Sequence, residues 1–583
     1  MPRTGFSNMS NVPSGFGSRL KVGLVAFNKH IATEMQTRLA NRAATTLLDG
    51  SGEQQAIWDV LLNRQEHVIV EAVAGSGKTT TLLQYVLRLG NKADVDCMTY
   101  HSLGFKTVKA VVKHSIRVDQ YKVLGILDNI DLPVQKKQEK MAKYRISSMV
   151  SFAKTYGHGP NISQDEMERI ADRHDVDLNG LANMVYDYVP KVLAKCASEL
   201  HTIDFDDMVW LPMHLGLAVP KYDVLCTDES QDLNVTQRWI SLRGGNRICC
   251  VGDEKQSIYS FRGAGGGSIG MMRDELATSS RGVVTLPLTL TRRCPKAHVK
   301  LAQSIVPAIR ALDDAPEGIV RVTESLDAAV NEMRPGDLVV CRVNAELIGT
   351  AYKLLKRGVK AVVRGKDIGQ GMVKLIEHAE KRAVTGNLVD VLQEAGDLTT
   401  DAIAKFNAMP QGRGKMRAAN AQDRYDCLSE LATDCKSVDE LKGVIENLFA
   451  EFEDDGQPKY AVVLGTVHRT KGLEGNRVFI LRPDLIPHPM AKKPEDKASE
   501  MNLLYVACTR SKFDAEHQGE LIFVGCECSA LPALPPTESD VMEFVKAGKG
   551  AKHEHALIDP SEPIDSDWLI EDEEDGAVPS HRQ

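Results

Sequence analysis

Residues 72–80, "AVAGSGKTT", set two glycines, a lysine and a run of hydroxyls in one short stretch, a combination that can hold a chain of phosphates. Gly75 and Gly77 let the stretch turn its N–H groups inward around phosphate oxygens, with Ala74, Ser76 and Thr80 alongside. Lys78 supplies a mobile cation for the β and γ phosphates, and the Thr79 hydroxyl can ligate Mg²⁺. The usual G-x-x-x-x-G-K-[ST] pattern opens on glycine, where this chain has Ala72. Far along the chain, "YDVLCTDESQD" brings Asp228 and Glu229 together. Asp228 is suited to holding Mg²⁺ through water, and Glu229 to orienting and deprotonating an attacking water. Alone, an acidic pair after a strand reads as a helix cap or a solvated turn. Beside an intact phosphate loop it reads as the hydrolytic half of the same site.

Such residues work only if something rigid positions them. "HVIVEA" before the loop is an apolar β run, and Leu82, Leu83, Val86 and Leu87 after it recur at helical spacing. Strand, glycine turn and helix follow in the order a phosphate site needs. The apolar run at 222–227 predicts a buried parallel strand that delivers Asp228 and Glu229 to its C-terminal edge, where open α/β sheets bind ligands. The fold class expected is α/β with parallel sheets.

The 583 residues have room for several domains, and 43% hydrophobic with 26% charged residues describe an ordinary globular protein. No apolar run reaches the ~18 residues that would suggest a bilayer span, and no membrane association is expected. Residues 1–20 read as a Gly/Ser/Asn-rich leader without a secretory apolar region, so a cytoplasmic location is expected. The 12 cysteines are scattered, and the close pairs Cys249-Cys250 and Cys526-x-Cys528 lie in apolar runs, which fits buried reduced thiols. From Asp559 to Gln583 nine acids face one base, so the whole net charge of -8 sits in that tail. The body is neutral, and a nucleic-acid site in it must be a local groove. The tail places acids around Trp568-Leu569-Ile570, which suits either a solvated end or a peptide for a protein partner.

The remaining motifs make the pattern specific. "RICCVGDEKQSIYSFRGA", "LTLTRRCP", "AVVLGTVHRTKGLEGNRVFIL" and "EMNLLYVACTRSKF" resemble helicase motifs III to VI of superfamily 1, in the UvrD/Rep-like branch, with "AVAGSGKT" as motif I and "DESQD" as motif II. "SGEQQAI" is similar to the glutamine motif that reads adenine, with Gln54 at the matching position, and "EMNLLYVACTR" is similar to the F-box DNA helicase type. The matches run from about residue 22 to 525. This resemblance implies two recA-like lobes closing on one ATP with Mg²⁺. It implies that Lys78, Thr79, Asp228, Glu229 and Gln256 belong to the first lobe and Arg293 and Arg510 to the second, as arginine fingers. It makes Gln256 a γ-phosphate sensor and Glu474 a ribose or DNA-coupling contact. One departure is that Thr291-Arg292-Arg293 stands where the family commonly has Asn-Tyr-Arg, so the Arg292 guanidinium would have to stack in place of the aromatic ring.

Single-stranded DNA needs stacking faces beside backbone-holding polar groups. Tyr259, Phe261 and Arg262 supply both within four residues, and Tyr100, His101 and His468 match other strand-contacting motifs. Core packing is the plain alternative for each ring taken alone. "LVAFNKHIATEM" looks like motif Ia, in which Phe27 and Asn28 would touch the strand, but it stands before the phosphate loop instead of after it. A parallel sheet can still accept residues 22–26 beside the strand at 95–99, because the linker "ANRAATTLLDG" is long enough to bring the chain back. The alternative is an added βα unit that only mimics the motif.

The expected organisation is a first lobe at 21–103 and 200–285 with a helical insertion at 104–199, then a second lobe at 286–345 and 455–530 with a helical insertion at 346–454. Residues 531–583 form the acidic tail. The expected function is an ATP- and Mg²⁺-dependent DNA helicase moving 3′ to 5′ on single strands and at ss/ds junctions. The alternatives are a translocase that displaces proteins with little unwinding, and a nucleotide-switched DNA-binding scaffold.

Overall fold

The computed structural model describes residues 19–525 except 42–45, 113, 175, 177, 179, 259–266, 324, 409–414, 434, 450–459 and 489–493. The strands that form the framework are β1 (Leu20–Ala26), β2 (His67–Ala72), β3 (Ala93–Thr99), β4 (Tyr222–Thr227), β5 (Gly245–Gly252) and β6 (Val283–Leu288). They are followed by β7 (Ile319–Thr323), β8 (Leu338–Cys341), β9 (Ala361–Val363), β10 (Val462–Thr466), β11 (Arg477–Leu481) and β12 (Glu520–Val524). They build two six-stranded sheets, in the orders β3-β1-β4-β5-β2-β6 and β7-β12-β11-β8-β10-β9. Every pairing in both sheets is parallel. Central stretches such as "ICCV" (248–251) and "LVVC" (338–341) are apolar throughout because helices cover both faces of a parallel sheet.

The displaced segment takes an interior place. β1 runs in register with β3 from Leu20↔Ala93 to Ala26↔Thr99 and on its other side with β4 from Val22↔Val224 to Val25↔Thr227. Val22 and Leu24 are fully buried, so this strand is part of the core and not an appended edge. The helix after it, Lys29–Ala40, packs on β3, where Gln36 Nε2 donates to the Cys97 carbonyl at 2.8 Å. The returning chain is fastened to the phosphate-loop helix Lys78–Leu89. Gln84 bonds Thr46 and Leu48 at 3.1 and 3.0 Å, and the Arg88 guanidinium lies 3.6 Å over the Trp58 ring.

Helices Lys122–Asp128, Lys136–Thr155, Gln164–Arg173 and Ala182–Ser198 form a separate apolar cluster between the two parts of the first sheet. Buried ions tie it to the helix Phe205–His214. Lys154 Nζ reaches Asp204 and Asp207 at 2.6 and 2.8 Å, and Lys122 Nζ reaches Asp207 at 2.6 Å. Asp207 is thereby structural, and so is Asp206, which accepts from the Ser151 hydroxyl at 2.6 Å.

Two expected boundaries shift. The first sheet extends through Leu288, because β6 pairs with β2, and the second reaches into the range read as helical insertion, because β9 pairs with β10. A three-residue strand such as "AVV" between Lys360 and Arg364 is too short for any periodicity to reveal. Among the described residues the range also holds the helices Asn344–Lys356, Lys366–Arg382, Leu388–Asn407, Lys415–Ala432 and Val438–Leu448. Among the described residues, no helix is long and apolar enough to cross a membrane.

Candidate active site

The phosphate loop leaves the C-terminal end of β2, where Gly75 and Gly77 take φ of 68° and 82°. That backbone is accessible to glycine at little cost, and a side chain at Gly75 would also collide with Arg293 and Thr291 at 2.5 and 2.7 Å. Gly77 caps the helix Lys78–Leu89, whose N-terminus faces the loop. The next strand but one, β4, leads directly into Asp228, and the Thr79 hydroxyl donates to Asp228 Oδ2 at 2.5 Å. Glu229 holds a left-handed backbone at φ 53°, rare for a non-glycine residue and typical of strained functional positions. Its carboxylate lies 3.6 Å from Lys78 Nζ and accepts from Gln231 Nε2 at 2.5 Å.

The electrostatics are those of a buried, acid-rich site. Burial, reinforced by Glu229, pushes Asp228 up to about 6. Burial also opposes ionisation of Glu229, but Lys78 and Lys471 outweigh it and hold Glu229 below the ordinary range. Lys78 is likewise penalised by burial, yet the carboxylates of Glu229, Asp253 and Asp228 raise it, so its ammonium stays charged. The donors at Thr79 and Asp228 are oxygen alone, which suits a hard cation that draws its other ligands from phosphate and water. Among the described residues no group of three or more His, Cys, Asp or Glu could hold a metal unaided, so these residues fit Mg²⁺ only together with a polyphosphate.

The second lobe closes this site. Arg293 forms an ion pair with Glu474 and donates to the Thr509 carbonyl at 3.2 Å, while its buried Nε has no hydrogen-bond partner. The neighbouring Arg292 N–H donates to the Gly75 carbonyl at 2.8 Å. Arg510 is 1% exposed and gives its Nε to the Val506 carbonyl at 2.9 Å; burial, with Arg293 beside it, pushes its guanidinium down to about 10. Gln256 is buried and donates to Asp253 Oδ2 at 2.8 Å. Gln54 is fully engaged. Its Oε1 accepts from Arg292 at 2.9 Å and from the Ser51 N–H at 3.1 Å, and its Nε2 donates to Thr81 Oγ1 at 2.9 Å.

The expected strand contacts divide. Tyr100 is 0% exposed and its hydroxyl meets Ser241 Oγ at 2.7 Å, so its ring is core and not a stacking face. The alternation of β3 into the following helix turns it inward, which a motif match cannot reveal. Phe27 is half-buried against the cluster that holds Tyr100, and Asn28 Oδ1 caps the helix Lys29–Ala40 by accepting from the Ile31 N–H at 2.9 Å. His468 is 8% exposed in the second lobe. Tyr259, Phe261, Arg262 and Trp568 lie outside the described residues.

Three residues at the site were not singled out from the sequence. Tyr505 lies on the helix Pro494–Cys508, and its phenol oxygen accepts from the Ala74 N–H of the phosphate loop at 2.8 Å and donates to Asp253 Oδ2 at 3.1 Å. Lys471 bridges Asp232 Oδ2 at 2.6 Å and the Gln256 carbonyl at 2.7 Å. Phe205 is 53% exposed and stands edge-on to His101 with ring centroids 6.3 Å apart. A large exposed ring at the first position of a helix, next to the acidic "DD" of "IDFDD", was the available clue.

Comparison with known proteins agrees with this arrangement. Residues 93–276 match the UvrD/REP helicase N-terminal domain, a match that starts at the first residue of β3. F-box DNA helicase 1 of Gallus gallus is 23% identical over 585 residues, covering 85% of this chain and 53% of that protein. F-box DNA helicase protein 1 of Schizosaccharomyces pombe is 22% identical over 79% of this chain and 56% of its own length. ATP-dependent DNA helicase PcrA of Staphylococcus epidermidis is 24% identical over 34% of this chain and 32% of its own. The chain spans about half the length of the F-box relatives it matches. The expected likeness to the UvrD/Rep-like branch of superfamily 1 is borne out.

Proposed function

From its likeness to UvrD-like superfamily 1 proteins, we propose that this chain is an ATP- and Mg²⁺-dependent DNA helicase that moves 3′ to 5′ on single strands and opens duplex at ss/ds junctions. The observation that carries the reading is that groups from both sheets meet at one phosphate loop. Lys78, Thr79, Asp228 and Glu229 come from the first, and Tyr505, Lys471 and Glu474 from the second, with Arg293 between them. Hydrolysis that needs both sides ties each turnover to an opening and closing of the lobes, and a strand held across them then advances.

Thr79 and Asp228 would hold Mg²⁺, which supplies charge neutralisation on the phosphate oxygens. Lys78, kept charged by its carboxylate neighbours, takes the β and γ oxygens. Glu229, kept ionised by Lys78 and Lys471, accepts the proton of the attacking water. Arg293 and Arg510 stabilise charge on the transferred group, with Gln54 and Arg292 at the base end. On the strand side we assign Phe27, His101, Tyr259, Phe261, Arg262 and His468, and add the exposed Phe205. We assign the tail around Trp568 to a protein partner, on its run of acids about an apolar triplet.

The test is strand displacement on matched duplexes carrying a 3′ or a 5′ single-stranded tail, with DNA-stimulated ATPase recorded alongside. Displacement of the 3′-tailed duplex alone is the expected result. Strong ATPase without displacement would replace unwinding with translocation, and the absence of any DNA-stimulated ATPase would end the reading.

A further inference from the structure

Tyr505 occupies a position that the phosphate chemistry does not itself require. Its ring is 0% exposed and packs among Val73, Ala74, Cys294, Val299 and Ala302, so the second-lobe helix Pro494–Cys508 is plugged directly into the phosphate loop. Its hydroxyl spends its hydrogen bonds on two different elements: it accepts from the Ala74 N–H at 2.8 Å and donates to Asp253 Oδ2 at 3.1 Å. The same Asp253 oxygen accepts from Gln256 Nε2 at 2.8 Å. Asp253 is anchored from the other side as well, its N–H donating to Gln231 Oε1 at 3.0 Å, while Gln231 Nε2 donates to Glu229.

We propose that Tyr505 is a positioning residue that couples closure of the second lobe to the placement of Gln256 and Glu229, so that hydrolysis runs only when the lobes are shut. This rests on the ATPase reading given above. In the closed arrangement the phenol pins one oxygen of Asp253, that oxygen sets the Gln256 amide, and the Asp253 backbone sets Gln231 and through it the Glu229 carboxylate. Withdrawal of the helix Pro494–Cys508 removes the phenol from a buried carboxylate and a buried N–H at once. The Ala74 N–H then loses its partner and Asp253 Oδ2 keeps only the Gln256 amide, so the loop and the carboxylate rearrange and Gln256 moves with them. The immediate continuation of Gln256 is the segment that holds Tyr259, Phe261 and Arg262, the residues assigned to the strand. Tyr505 thus stands between lobe closure, the water-orienting carboxylate and the DNA-side segment without touching nucleotide chemistry itself.

The experiment uses the full chain and the isosteric variant Tyr505→Phe, together with Gln256→Ala and the double variant. Thermal melting establishes that each is folded. For Tyr505→Phe the expected result is a fall of about ten-fold in kcat of the DNA-stimulated ATPase with KM for ATP within about two-fold of the parent. In the double variant the kcat should be no lower than in Gln256→Ala alone, because both changes break one relay. A stimulated kcat unchanged by Tyr505→Phe, or losses that multiply in the double variant, would overturn the inference. An inactive parent protein would instead overturn the ATPase reading, so the two failures are distinct.

Discussion

Lys78 Nζ stands 3.6 Å from Glu229 Oε1, and Glu229 keeps that position on a left-handed backbone. The pair joins the cation that would take phosphate to the carboxylate that would take a proton. Glu229→Gln removes the base and keeps the shape. DNA-stimulated kcat should fall by about 10²- to 10³-fold with nucleotide binding retained. Lys78→Ala should weaken nucleotide binding as well as kcat, measured by titration with a fluorescent nucleotide. A Glu229→Gln protein with parental turnover would remove Glu229 from its role.

The position of β1 between β3 and β4 makes its place in the chain order replaceable. Residues 19–45 moved to between Lys92 and Ala93 through short Gly/Ser joints should still find the same slot. The rearranged protein is expected to fold, with ATPase within about two-fold of the parent. Failure to fold, seen as loss of a cooperative melt, would mean that the return linker fastened by Gln84 and Arg88 is required for assembly.

Phe205 presents an exposed ring beside His101. A ring so placed can stack on a base, at about 1–3 kcal/mol per stacked base. Phe205→Ala should weaken binding of a short oligonucleotide by about ten-fold or more, read by anisotropy, with basal ATPase unchanged. Unchanged oligonucleotide affinity would assign the strand to another face.

His298 offers a pH test of stability. Its Nε2 meets the Ile319 carbonyl at 2.9 Å, its Nδ1 is buried without a partner, and burial holds its pKa down to about 4. The unfolded chain, titrating near the ordinary value of about 6.5, binds more protons than the folded one between those limits. The stability this group contributes is therefore complete above about pH 6.5 and is lost as pH falls toward 4, about 2 kcal/mol by pH 5. His174, held down to about 4 by burial, acts with the same sign. The drop in urea-unfolding free energy between pH 7.5 and 5 should be smaller by about 2 kcal/mol in His298→Gln. An equal drop in both proteins would remove His298 as the cause.

Local pattern sufficed for much of this protein. The apolar runs at 68–70, 224–226, 248–251 and 338–341 suit strands of a sheet covered on both faces, and the glycines of the phosphate loop are needed at positive φ. The residue types at 78, 79, 228 and 229 suggested a phosphate and metal chemistry through charge and spacing, and the fold brings all four together. Tertiary structure alone decided which groups meet. Tyr505 reaches Ala74 and Asp253, Lys471 reaches Asp232, and Tyr100 turns into the core, because these contacts join residues far apart in the chain or depend on which way a helix start faces. The displaced strand is the clearest case. Its sequence showed a strand and a motif out of order, whereas its slot was settled by hydrogen bonding to β3 and β4, since a parallel sheet selects neighbours by register and burial and is indifferent to the order in which the chain supplies them.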